Sequence, residues 1–160
     1  MQLIVAAVGR LKQGPERDLA AHYAARIDAA GPGVSLGPLS LIELAEGRGA
    51  AADLRKGDEA ARLIAALVKI ETVVALEETG KALTSRQFAD FIRSQRDGGC
   101  ARLAFVIGGP DGHGPALRQR AARVLSFGPM TLPHGLARLI LLEQIYRAVT
   151  IVSGHPYHRD

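Results

Sequence analysis

Short, nearly unbroken apolar runs alternate along this chain with longer segments in which apolar residues recur every three or four positions. The runs at 1–8, 39–44, 72–76, 103–107 and 124–126 read as strands, and the segments at 15–30, 54–69, 85–96 and 115–122 as helices. Pro15 opens the first helix, Thr84 and Gln87 have the spacing of a capping box, and Gly and Pro mark the loops at 31–38 and 47–49. A strand that is apolar without alternation is buried on both faces, so the pattern predicts an α/β fold: a parallel-type sheet covered by helices on both faces.

Residues 125–159 break this pattern. An apolar segment stops at Gly128 and Pro129, a helix starts near Pro133, and Leu136, Leu139, Ile140, Leu141, Leu142, Ile145, Tyr146, Val149, Ile151 and Val152 cover most of its circumference. Such a helix must be buried on more than one side. The reading is that it packs on its own domain and on a second copy, as a homodimer; the alternative is a central helix of a monomer.

At 160 residues the chain is one domain, 1–160, without a repeat or a dividing linker. Its 48% hydrophobic and 22% charged residues exclude a disordered chain, and the single Cys100 excludes an intrachain disulfide. The first apolar run lacks a basic leader and is too short to span a membrane, so a cytoplasmic protein with no membrane partner is expected. Charge is uneven: residues 1–80 carry 9 basic and 11 acidic side chains, residues 81–160 carry 11 and 5, almost all the basic ones arginine. Arginine suits phosphate contact and stacking on bases, so the second half is expected to meet a polyanion, against the alternative of a solvated basic surface.

Ligands of such sheets bind beyond the carboxyl ends of strands. Three ends carry unusual residues: Leu76 before EETGK, the loop at 108–114 with its glycines, and 127–132 after the last strand. The glycine loop has neither dinucleotide-fingerprint nor Walker spacing, which favours a nucleoside-like ligand held by backbone groups. The tail places His155, Tyr157, His158 and Arg159 together, combining a proton acceptor near neutral pH, a stacking surface and phosphate donors. A frayed terminus is the alternative. Pro156 between the histidines and the lone cysteine argue against a metal. His134 caps its helix or lines the site, His22 and His113 read as surface or loop residues, and Glu143 is expected to pair with Arg138 or Arg147.

LPHGLARLILLEQIYRA followed by GHPYHR, with FVIGGPDGH and LEETGK upstream, closely resembles the RlmH family of SPOUT-class ribosomal RNA methyltransferases along nearly the whole chain. The resemblance implies a C-terminal trefoil knot and S-adenosyl-L-methionine held at Leu76, Gly108, Phe127, Gly128, Pro129, Met130, Thr131 and Leu132. Family members commonly carry serine, then lysine or proline, at the positions of Gly128 and Pro129, so contacts there run through the backbone. It also implies methylation at N3 of a pseudouridine in 23S rRNA, in the large subunit or the assembled ribosome. His155 or His158 would take the proton, Tyr157 position the base, and Arg147, Arg159 and His134 meet the RNA. A non-catalytic ribosome-binding or RNA-binding module is the alternative, and a small nucleotide-dependent enzyme lacks its phosphate loops.

Overall fold

The computed structural model describes residues 1–157. Five strands, β1 (Gln2–Val8), β2 (Leu39–Leu44), β3 (Thr72–Ala82), β4 (Arg102–Ile107) and β5 (Arg123–Ser126), form one parallel sheet in the order β2-β1-β4-β3-β5. Inner β1 and β4 are buried almost residue by residue, while edge strand β2 alternates half-buried and exposed positions. That contrast is what covering both faces of an inner strand requires.

Odd-numbered residues such as Leu3, Val5, Leu103 and Phe105 face a layer made by α1 (Pro15–Ala30), α3 (Ser85–Asp97) and α5 (His134–Ser153). Even-numbered Ile4, Ala6, Ala104 and Val106 face α2 (Ala52–Ala66) and α4 (Pro115–Arg120). The expected capping box forms at α3: Gln87 N donates to Thr84 Oγ1 (3.2 Å) and Thr84 N to Gln87 Oε1 (3.0 Å). In α5, Leu141, Leu142, Ile145 and Val149 are fully buried between α1 and α3, each worth about 1.5–3 kcal/mol relative to exposure. Its outer stripe is only partly covered, with Leu136 40% exposed and Ile140, Arg147 and Ile151 half-buried. Among the described residues, no helix is long and apolar enough to cross a membrane.

Two elements differ from the sequence pattern. The second helix ends at Ala66 instead of 69, and Leu54 and Val68 are exposed; its inward face carries Glu59, Ala60 and Leu63. Glu59 is inside because Oε1 accepts from Gly47 N (2.7 Å), using a carboxylate to hold the preceding loop. Strand β3 also continues past Leu76. Residues 77–80 leave the ladder and Lys81 and Ala82 rejoin it, so Leu125 registers with both Leu76 and Lys81. The excursion is polar because it is not covered, which is why apolar periodicity stops at Leu76.

Gly80 lets that excursion close on β5. A Cβ there would lie 2.5 Å from the Leu125 carbonyl carbon, a backbone atom that cannot yield. Gly80→Ala is therefore expected to lower unfolding free energy by about 1–3 kcal/mol or more, as in other overpacked positions. Urea denaturation with an unchanged midpoint would contradict this close approach.

Candidate active site

The three unusual strand ends are neighbours. Leu76 registers with Ile107 on one side and Leu125 on the other, so β4, β3 and β5 deliver Gly108, Leu76 and the 127–132 loop to one edge of the sheet. After β4 the chain turns tightly, with Gly112 N donating to Gly109 O (2.9 Å), and a Cβ at Gly108 would stand 3.1 Å from the Gly112 carbonyl carbon. Backbone is thus presented bare at this end. Past β5, Phe127 is 40% and Met130 77% exposed, apolar surface left at the tips. Pro129 is also exposed, and Leu132 is half-buried.

The β5 loop is fastened to the β3 excursion. Ser126 Oγ lies 3.0 Å from Glu78 O and 2.8 Å from Gly128 O and accepts from Gly128 N (3.0 Å), while Thr131 Oγ1 donates to Glu78 Oε2 (2.8 Å). Gly128 has φ +131°, a conformation side-chain-bearing residues rarely adopt, so this path depends on the glycine. Ser126, which apolar patterning places merely in a strand, is the joint between the two loops.

Glu77 is held by Arg118, whose Nε donates to Oε1 (2.8 Å) and Oε2 (2.9 Å). Those hydrogen bonds, ahead of any other influence, keep its carboxyl below the usual range. His113, expected as a surface or loop residue, is in the loop but its ring lies under the glycine turn, with Nδ1 3.1 Å from where a Gly108 Cβ would be. Both ring nitrogens are cut off from solvent and neither meets hydrogen-bond geometry, although the Leu76 and Val106 backbones are near enough to favour its charged form. Burial outweighs that and lowers its pKa.

On the other half of the same edge, Arg138 is 2% exposed and donates from Nη2 to Gly9 O (2.7 Å) and from Nη1 to Glu43. Burial lowers its pKa against the pull of Glu43. Of the two arginines expected, Glu143 therefore pairs with Arg147, through Nε (3.0 Å) and Nη2 (2.6 Å). His134, at the start of α5, packs its ring over Gly9, where a Cβ would fall 2.8 Å from Nε2. A cavity of about 330 Å³ between α1, β1 and β2, lined by Val5, Ala7, Leu41 and Arg138, is separate from the three tips.

The tail leaves α5 through Gly154 (φ +69°), with His155 N donating to Thr150 O (2.9 Å), the six-residue closure of a left-handed C-cap. Tyr157 folds back onto its own chain: its ring is 4.8 Å from Tyr146, Arg26 and Arg147 lie 5.2 and 5.0 Å from its centroid, and its hydroxyl donates to Glu143 Oε1 (3.2 Å). Desolvation first, then neighbouring Tyr23 and Glu143, push its pKa up to about 12. The structure thus brings the expected cofactor residues together and Tyr157 to Arg147, but it does not bring the two groups to each other. His158 and Arg159 lie outside the described residues.

The buried imidazole generates a pH prediction. Since the folded chain holds His113 below its ordinary value of 6.5, the unfolded chain takes up a proton that the folded one resists. Stability is complete above about pH 6.5 and is lost as pH falls from there toward the lowered folded value. Glu77, also lowered, loses its contribution only below about 4.5. Urea midpoints measured at pH 7.5 and 5.5 should converge more closely in His113→Leu than in the parent chain; an identical drop in both would exclude His113 as the source.

The family described as "Predicted SPOUT methyltransferase" matches residues 1–158. Ribosomal RNA large subunit methyltransferase H of Brucella anthropi is 50% identical over 160 residues, covering 100% of both chains. Those of Xanthobacter autotrophicus and Sinorhizobium fredii are 49% and 51% identical over 159 residues, with 99% of each chain covered. Among solved structures, a "probable methyltransferase" from Bordetella pertussis superposes with TM-score 0.53 at 14% identity, covering 92% of this chain and 96% of its own, a likeness of fold. Matched from end to end by the family and by these relatives, the chain belongs to the SPOUT methyltransferases, in the group of ribosomal RNA large subunit methyltransferases H.

Proposed function

We propose that this chain is a single-domain, homodimeric, cytoplasmic enzyme that methylates N3 of a pseudouridine in 23S rRNA, in the large subunit or the assembled ribosome, using S-adenosylmethionine. The observation that carries the reading is the separation of tail and cleft. Tyr157 rests at the level of Glu143 and Tyr146 on the α1 side of α5, roughly 15 Å along the helix from its first turn, while the cleft lies at the β4, β3 and β5 tips. A tail meant to act with that cleft serves a second copy. The partly covered stripe of Leu136, Ile140 and Ile151 supports such a contact.

The residues at the tips fit the cofactor. Backbone at Gly108 and apolar Phe127 and Met130 suit an adenosine, and the exposed carboxylate of Glu78 suits a cationic sulfonium. When bound, that group supplies an electrophilic methyl carbon. The chain contributes alignment, which is worth up to about 7–11 kcal/mol in ideal cases. His155 Nδ1 accepts from Tyr157 N (3.2 Å), so a neutral His155 carries its proton on Nε2 and acts as a donor. This supports His158 over His155 as the proton acceptor. Tyr157, with its raised pKa, stays protonated and positions the base, and Arg147 meets phosphate by exchanging it for Glu143. The trefoil threading belongs to the same reading, supported by the grip of residues 76–81 around Leu125.

Calorimetry should find saturable S-adenosylmethionine binding; its absence with RNA binding intact leaves a non-catalytic module. Deleting residues 155–160 should abolish methyl transfer to ribosomes and spare cofactor binding. Mixing that deletion with a cofactor-deficient chain should restore activity through hybrid dimers, and a mixture as inactive as its parts would refute the shared site.

A further inference from the structure

The arginine-rich second half is mostly neutralised on folding. Arg93, Arg96, Arg102, Arg118, Arg138 and Arg147 are all ion-paired. Among the described residues, the cations left without a hydrogen bond, ion pair or ring contact are Arg10, Lys12, Arg48, Lys69 and Lys81. Three of these, Arg10, Lys12 and Arg48, stand exposed on the loops that follow β1 and β2, at the same edge of the sheet as the cofactor tips.

Both loops have their backbones fixed from below. In the loop after β1, Gly9 O accepts from Arg138, Leu11 N donates to Glu43 Oε1 (3.0 Å), and Leu11 O accepts from Arg17 (3.4 Å). In the loop after β2, Gly47 N donates to buried Glu59, and Arg55 donates to Gly49 O (2.9 Å) and Ala50 O (3.3 Å). Arg55 also grips Asp111 through Nε (2.7 Å) and Nη2 (3.1 Å), which ties the Arg48 loop to the glycine turn of the cofactor cleft. Glu43, Glu59 and Asp111 are consumed in holding backbone or a paired arginine, whereas exposed Glu46 beside Arg48 and exposed Glu16 and Asp18 after Lys12 remain as acids near the loops. Rigid loops with free cations lose little entropy when a polyanion docks.

Resting on the rRNA reading above, the geometry points to Arg10, Lys12 and Arg48 as a phosphate-binding track that seats the RNA strand beside the cofactor cleft, on the β1 and β2 half of the edge. The first half of the chain, acidic by count, would then supply the backbone contacts, and the tail of the second copy the contacts to the base.

The experiment compares the full-length protein with the triple variant Arg10→Ala, Lys12→Ala, Arg48→Ala, using Lys69→Ala as control, a free exposed cation at the opposite edge. Ribosome binding and KM for ribosomal substrate are measured over a range of salt. The triple variant should bind about tenfold or more weakly, with a salt slope shallower by about two, since each phosphate contact contributes roughly 0.7–0.9 to that slope. Its S-adenosylmethionine affinity and urea midpoint should match the parent, as should every property of Lys69→Ala. If the triple variant binds ribosomes like the parent while the parent is active, the track is wrong and the rRNA reading stands. Should Lys69→Ala weaken binding as much per charge, general basicity replaces the track. A parent that neither binds nor methylates ribosomes ends both proposals.

Discussion

The burial of α5 against the sheet sets the position of everything that bears chemistry. Its inner face locks between α1 and α3 over β1 and β4, which fixes the direction of its axis. The first turn is pinned where His134 meets Gly9, so the 127–132 loop must end at the carboxyl edge of the sheet. At its far end the left-handed turn at Gly154 throws the tail back along the outside of the helix. One rigid element thus sets the 127–132 loop at its first turn and Tyr157 beside Glu143 and Tyr146 farther along it.

Around this frame, the edge that carries the site is held by ionic ties in which a buried or half-buried charge fastens backbone. Arg138 holds Gly9, Glu59 holds Gly47, and Arg55 holds Gly49 while bridging to Asp111. Such pairs add little net stability over apolar packing, yet losing one partner of a buried pair costs about 3–5 kcal/mol because the other charge stays behind. Their value here is positional. Apolar contacts leave a loop free to slide, whereas a guanidinium reaching two carbonyls fixes its path.

The same distinction explains what could be read in advance. Sheet strands, the α3 capping box and the proline start of α1 follow from neighbours a few residues apart, and all are present as expected. Several of the ties join residues far apart in the sequence, Arg55 with Asp111 by 56 positions and Arg138 with Glu43 by 95, and no local spacing announces them. For His113 the surrounding glycines suggested an exposed loop; only the fold shows that the turn closes over the ring. The grouping of Leu76, Gly108 and 127–132 was legible because three strand ends carried glycines or apolar residues where loops are usually polar. Its chemistry came from the resemblance, since bare backbone does not name its ligand.

Charge at the edge of the sheet is sorted by strand, and the sorting bears on which step it assists. Glu77 is compensated by Arg118, so the acidity of the β3 tip comes from Glu78, exposed and accepting a hydrogen bond from Thr131 Oγ1. A carboxylate beside a sulfonium attracts the charged donor more than the neutral thioether left after methyl transfer. That preference favours loading of the donor and exchange of the spent product, and it does not lower the barrier of the chemical step, where the positive charge is already dispersing. On the proposed reading, acceleration comes from alignment and from removal of the imide proton, the roles given there to the tail. On the proposed reading, exposed Glu78 at the β3 excursion and free Arg10, Lys12 and Arg48 after β1 and β2 would place the attraction for a cationic donor and that for a polyanionic acceptor at different strand tips.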